Sequence, residues 1–282
     1  MLHSHSEKLT AEMYLKARQI RLDVLDMVYR RQAGHPGGSF SCAEILACLY
    51  FHQLKLDPAN PQWENRDRFI LSKGHAAAAL YSALAQRGFF PTSDLEGWGH
   101  LDAHLQGHPD RIKTPGVDMS SGFLGHGISI GVGLTLAQRL GQERFHTYVL
   151  VSEGDMQSGV AWEGALAAAK FRTTEMTVMM DYNNVQLDGA GHDILSLEPL
   201  VDKWQAFGFH VIEINGHNVM QILDALDTAL EIHNKPVVIL AHTTKGKGVS
   251  FMENTSAWHG GVPNAEQYKA ARLELEQSGG VQ

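Results

Sequence analysis

The second half of the chain alternates short apolar runs with stretches of helical periodicity, and no other feature limits the fold as much. Strands are expected at 145–151, 176–181, 209–214 and 237–241, with helices at 160–170, 197–207 and 218–233. The runs YVLV, VMM and VVILA leave no polar residues for a wet face, so their strands must be covered on both sides. Strands separated by helices of this length build βαβ units with right-handed crossovers. The expected fold class is therefore α/β, a parallel sheet with helices on both faces.

Upstream, a periodic stretch from about 10 to 33 puts Ile20, Val24, Met27 and Val28 on one face, and Gly34 is expected to stop it. Ser41 and Glu44 have capping-box spacing for a second helix. Pro58 and Pro61 mark a loop, 68–71 reads as a short strand and 75–87 as an alanine-rich helix, and Ser93 and Glu96 can cap another. From 98 to 127 the text is rich in glycine and proline, and a loop that long in a compact domain usually carries function. With 282 residues and a formal charge of −8, the chain has enough length for a core and no basic stripe for nucleic acid. The longest candidate for a membrane span, 122–137, is glycine-rich and broken by His126, so it reads as a buried segment. The opening MLHSHSEK lacks the layout of a signal peptide, and the expected setting is cytoplasmic. Cys42 and Cys48 lie in an apolar helical pattern and read as packed thiols, and Gly279-Gly280 as a frayed tail.

In an open parallel sheet, ligands bind beyond the carboxyl ends of the strands. Two such ends carry oxygen donors here: Gly154-Asp155 after YVLV, and Asp181-Tyr182-Asn183-Asn184 after VMM. One strand-helix-strand unit would set a carboxylate beside a side-chain amide oxygen. Hard donors of this kind suit Mg²⁺ or Ca²⁺, whose remaining ligands often come from phosphates and water. The same residues also read as ordinary loop chemistry, with Asp155 capping the next helix and Asn183-Asn184 making a turn.

Gly154-Asp155 followed by Asn183 resembles the diphosphate and metal motif of thiamine-diphosphate enzymes. Further stretches narrow the resemblance to transketolase: GHPGG at 34–38, LSKGHAAAALY at 71–81, GHPD at 107–110, SGFLGHGISIGVG at 121–133, DYNNVQLDG at 181–189, TTKGKG at 243–248 and WHG at 258–260. They occur in the family's order and span nearly the whole chain.

The resemblance implies a thiamine-diphosphate-binding fold, the diphosphate-binding domain, over 1–282. It implies that Asp155, Asn183 and the Val185 carbonyl hold the metal, Mg²⁺ with Ca²⁺ or Mn²⁺ as alternatives. Gly122, Leu124, Gly154 and Leu187, with His75 and His259, match positions around the cofactor. His35, His75, His108 and His259 match histidines of the sugar channel, where neutral imidazoles exchange protons with hydroxyls. His100, His104 and His108 have metal-like spacing, but their glycine-rich setting and lack of a cysteine or carboxylate partner argue against zinc. The implied activity is transfer of a two-carbon ketol unit from a ketose, a sugar phosphate or related acid sugar, to an aldose. The glutamate that protonates the cofactor's pyrimidine belongs, in the family, to a second domain. The chain thus resembles the N-terminal half of a split transketolase, with the pyrimidine and C-terminal domains on a partner chain in an α2β2 assembly.

Departures accompany the likeness. Many transketolases read GDG-x-x-x-E-G and then WE, whereas the text here is GDMQSGVAWEG, about two residues shorter, with Met156 for the second glycine. Gln157 or Ser158 stands where an acid couples the two active sites of the family, and Glu163 aligns with the WE glutamate. Phe123 and His126 change the commoner GxLGQG. Two other readings stand beside the first: a 2-oxo-acid dehydrogenase α-like chain, and a non-catalytic module that binds thiamine diphosphate or a partner.

Overall fold

The computed structural model describes residues 5–278, so the expectations for the first residues and for the Gly279-Gly280 tail lie outside it. Its sheet has five parallel strands, β1 (Arg68–Leu71), β2 (Thr147–Ser152), β3 (Met176–Tyr182), β4 (His210–Asn215) and β5 (Val237–His242), in the order β1-β2-β3-β5-β4. The helices are α1 (Glu7–Arg31), α2 (Pro36–Ser41), α3 (Ala43–Cys48), α4 (Ala77–Arg87), α5 (Gly127–Leu140) and α6 (Glu153–Met156). They continue with α7 (Gly159–Phe171), α8 (Gly191–Leu195), α9 (Leu200–Ala206), α10 (Val219–Glu231) and α11 (Ala265–Gln277).

The apolar runs are central strands with both faces covered, as their composition requires. Along β2, Tyr148 and Leu150 join a core shared with α1, α3, α4 and α10, while Val149 and Val151 join a second core under α5, α7 and α9. β5 divides in the same way, with Val237, Ile239 and Ala241 on the first side and Val238 and Leu240 on the second. Successive side chains of a strand point to opposite faces, so one run of apolar residues feeds both cores.

Local signals shift some boundaries. α1 ends at Arg31 because Gln32 takes the left-handed conformation, two residues before the expected Gly34 stop. Gly34 answers a different need: a Cβ there would lie 2.8 Å from the Trp98 ring. Ser41 does not open a helix; it closes α2, and its hydroxyl donates to the Asp181 carboxylate at 2.6 Å, with Gly38 O a second acceptor within 3.1 Å. The glycine-rich stretch between Gly97 and Gly127 contains no helix or strand but is tied down: Trp98 Nε1 donates to Gln106 O at 2.9 Å, and the Tyr81 hydroxyl reaches Gln106 O and His108 O. Within it His104 pairs through Nε2 with Asp94 at 3.0 Å. Both cysteines are buried free thiols. Among the described residues no helix is long and apolar enough to cross a membrane.

Candidate cofactor and cation site

The register puts the carboxyl ends of β2, β3 and β5 level with one another. Ser152 pairs with Asp181, and Asp181 with Ala241, so the segments starting at 153, 183 and 243 leave the sheet side by side. Between them opens a cleft of about 350 Å³. Of the residues expected around a cofactor or cation, His75, Gly122, Leu124, Gly154, Asn183, Val185, Leu187 and His259 all line it. Three hollows are larger, 380 Å³ around Arg66 and Asp118, 770 Å³ beside β4 and β5 and 930 Å³ between α1 and the 247–253 loop, but none collects those residues.

Asp155 is the one expected residue that the structure does not bring to the cleft wall. Its side chain is fully buried and is not part of the cleft wall. Oδ1 accepts from the Ser72 hydroxyl and from the Gly125 N–H at 2.8 Å; Oδ2 accepts from the Ser152 N–H and hydroxyl, both at 2.9 Å. A carboxylate has about four lone-pair sites. All four are used; Asp155 does not cap α7, whose N-cap is Ser158, but sits in the first turn of α6 and closes it back onto Ser152. The acid in the cleft wall is Glu153, the first residue after β2. Burial raises its carboxyl to about 7, against a lowering hydrogen bond from the Asn184 backbone.

Asn183 is oriented by a buried hub. Asp181 Oδ2 accepts from Ser41, from the fully buried Lys73 ammonium and, at 3.3 Å, from Asn183 Nδ2, while Oδ1 accepts from Thr243. Because the Asn183 amide nitrogen is turned to Asp181, its oxygen faces the other way, toward the Val185 N–H at 3.2 Å. Asn184 between them takes a left-handed φ of 60°, a conformation asparagine tolerates better than most residues. Lys73 donates also to Gly38 O at 2.7 Å. Burial alone would depress its pKa, but the facing Asp181 charge holds it above the ordinary lysine value.

Four histidines far apart in the chain meet at the mouth of the cleft. The His35 ring lies 5.4 Å from His75, 5.4 Å from His259 and 6.4 Å from His108, and His75 lies 5.1 Å from His259. His75 and His259 line the cleft itself, with His35 and His108 just beyond. Burial lowers every one of their pKa values; neighbouring charge adds to it, from Lys245 at His259, which falls to about 3, and from Lys73 at His75. All four are neutral near pH 7. The Lys245 ammonium donates to His259 Nδ1 at 2.7 Å, which leaves the imidazole proton on Nε2. Lys245 donates also to the Val185 carbonyl at 2.8 Å, and burial lowers its pKa to about 8.

These residues suit an anionic cofactor with a divalent cation. Glu153, the Asn183 oxygen and the Val185 carbonyl are hard oxygen donors at one end of the cleft, and Lys245 sets a positive charge at the same end. Gln186 Nε2 is buried in this wall without a partner, an arrangement that favours a ligand acceptor. Gly154 keeps the wall open: a Cβ there would meet Leu124 Cδ1 at 3.2 Å. Sequence reasoning missed Glu153, Lys73, Gln186 and Lys245. The two lysines sit inside the SKGH and TTKGKG motifs but offer no titration signal in the sequence, and Glu153 is overshadowed by the more familiar Gly-Asp pair.

The family model for the transketolase thiamine diphosphate binding domain matches residues 13–278. The chain belongs to the transketolase N-terminal family. Its relatives include the 6-deoxy-6-sulfo-D-fructose transketolase subunit SqwG of Clostridium sp., 42% identical over 94% of this chain and 96% of that one. They include also an apulose-4-phosphate transketolase subunit of Phocaeicola vulgatus, 38% identical over 93% of each. Among solved structures, the transketolase of Leishmania mexicana superposes with a TM-score of 0.88 at 30% identity, covering 99% of this chain and 43% of that one. The transketolase of Campylobacter jejuni gives 0.88 at 32%, covering 99% and 44%. The chain thus spans less than half the length of the solved transketolases it matches, and nearly the whole length of the named subunits.

Proposed function

We propose that this chain is the N-terminal, diphosphate-binding subunit of a two-chain transketolase. The observation that carries the reading is the meeting of His35, His75, His108 and His259 over a cleft walled by Leu124, Leu187, Gly154 and Asn183. The chain would act as one domain, 1–282, with the pyrimidine and C-terminal domains on a companion chain in an α2β2 complex. Subunit-length relatives support that division. Mg²⁺ is the expected cation, with Ca²⁺ and Mn²⁺ as alternatives, and the setting is cytoplasmic. The substrate would be a ketose with an anionic group at its far end, the chemistry named for both of these relatives.

Thiamine diphosphate, when bound, supplies the carbon nucleophile and the electron sink for moving a two-carbon ketol unit. This chain's part is to hold, orient and shield. Lys245, opposite Glu153, offsets charge where diphosphate oxygens would lie, and the Gln186 amide and His259 Nε2–H offer donors to them. Leu124 and Leu187 give an apolar wall for the ring carrying the nucleophile. The neutral imidazoles above it can each donate one hydrogen bond and accept another, so they can hold and orient sugar hydroxyls without adding a charge beside Lys73 and Lys245. The companion would contribute the glutamate for the pyrimidine ring and the groups that read the far end of the sugar.

Calorimetric titration of the assembled complex with thiamine diphosphate tests the reading. Binding is expected in Mg²⁺ and not in excess EDTA, and Asn183→Ala should weaken it about tenfold or more with the fold intact. Cofactor affinity indifferent to both EDTA and Asn183→Ala would contradict it.

A further inference from the structure

We propose that Glu153, not Asp155, is the carboxylate this chain presents to the diphosphate-bound cation, and that Asp155 is an internal brace that fixes the strand end. The inference rests on the cofactor reading of the cleft. Three observations carry it. The Asp155 carboxylate has spent its acceptor capacity on Ser72, Gly125 and Ser152 and is sealed from the cleft. Glu153 leaves the end of β2 one register position before Asn183 leaves β3, and its carboxylate lines the cleft against the turn that follows Asn183: it accepts from the Asn184 backbone, and a Cβ built on Gly191 would lie 2.5 Å from Glu153 Oε1. With Glu153 in the acid's place, the pattern GDG-x-x-x-E-G falls on Ser152-Glu153-Gly154-Asp155-Met156-Gln157-Ser158-Gly159 without a gap.

This placement removes the apparent two-residue shortening of the loop and fixes Ser158, rather than Gln157, in the position of the coupling acid. It also unites the chemistry. Glu153, Asn183 Oδ1 and the Val185 carbonyl form a set of three oxygen donors with one negative charge, leaving room for diphosphate oxygens and water around a hard cation. Glutamate is one methylene longer than aspartate, so from the end of β2 it reaches the cleft while the strand end stays braced by the aspartate two residues on.

Mn²⁺ binding, followed by electron paramagnetic resonance on the assembled complex with saturating thiamine diphosphate, separates the two acids without reference to turnover. Glu153→Gln should lose about tenfold or more in Mn²⁺ affinity, and Glu153→Asp should recover most of it. Asp155→Asn should keep near-wild-type Mn²⁺ affinity but melt several degrees lower, because an amide N–H would face donors that now meet a carboxylate oxygen. Wild-type affinity in Glu153→Gln would overturn the assignment, as would lost affinity in a folded Asp155→Asn. Should Asp155→Asn fail to fold, the two Glu153 variants decide alone. Wild-type complex showing no thiamine-diphosphate-dependent Mn²⁺ binding would overturn the cofactor reading itself, and the assignment with it.

Discussion

At the scale of single residues, burial decides which side chains are charged. His146 is nearly buried beside β2, with Nε2 at 2.9 Å from Thr177 Oγ1, and burial lowers its pKa from 6.5 to about 4. The sign follows directly: between those values the unfolded chain takes up a proton that the folded chain refuses, so stability falls as pH drops. Denaturant melts should show a slope of about 1.4 kcal/mol per pH unit from this residue between pH 6.5 and 4. His146→Gln should remove that part of the slope; an unchanged slope would mean that His146 is already protonated in the folded chain. None of this is visible in the sequence, where His146 is simply one of 16 histidines. The four cleft histidines are legible because each lies in a motif, whereas Glu153 and Asp155 cannot be told apart by type. Only the pairing of Ser152 with Asp181 shows where β2 ends, and so which acid faces outward.

At the scale of elements, small residues set how closely helices lie on the sheet and on one another. A Cβ on Gly164 of α7 would come within 2.8 Å of Ser129 Oγ and 2.9 Å of its backbone nitrogen in α5. The neighbour is partly main chain and cannot turn aside. Alanine in place of glycine favours a helix by about 1 kcal/mol, but overpacking typically costs about 1–3 kcal/mol. Gly164→Ala should therefore be destabilising on balance, with a melting temperature lower by a few degrees; a rise would mean that α5 and α7 can part without loss. The central strands are legible because a strand buried on both faces must be apolar throughout. α11 escapes such reading, since AEQYKAARLELEQ buries only Ala271 and Leu275 and shows no apolar stripe. Its one clear signal is Asn264 with Gln267, a reciprocal cap readable as a helix start.

At the scale of the molecule, the sheet order and register bring residues from 35 to 259 to one cleft, which local patterns alone cannot foretell. The resemblance supplied what periodicity could not: which loops meet. It did not supply the internal economy of charge, in which Asp181 anchors Lys73 and aims Asn183, and Asp155 closes the strand end. The cleft offers groups for a diphosphate, a cation and hydrogen bonds to a sugar, and the family's pyrimidine glutamate is expected on a companion chain. Ketol transfer from a labelled ketose, with thiamine diphosphate and Mg²⁺, measured with this chain alone and with its companion, tests that division most directly. Label should reach the aldose only when both chains are present. Turnover by this chain alone would contradict the split, and silence of the mixture across phosphorylated and sulfonated ketoses would contradict the proposed activity.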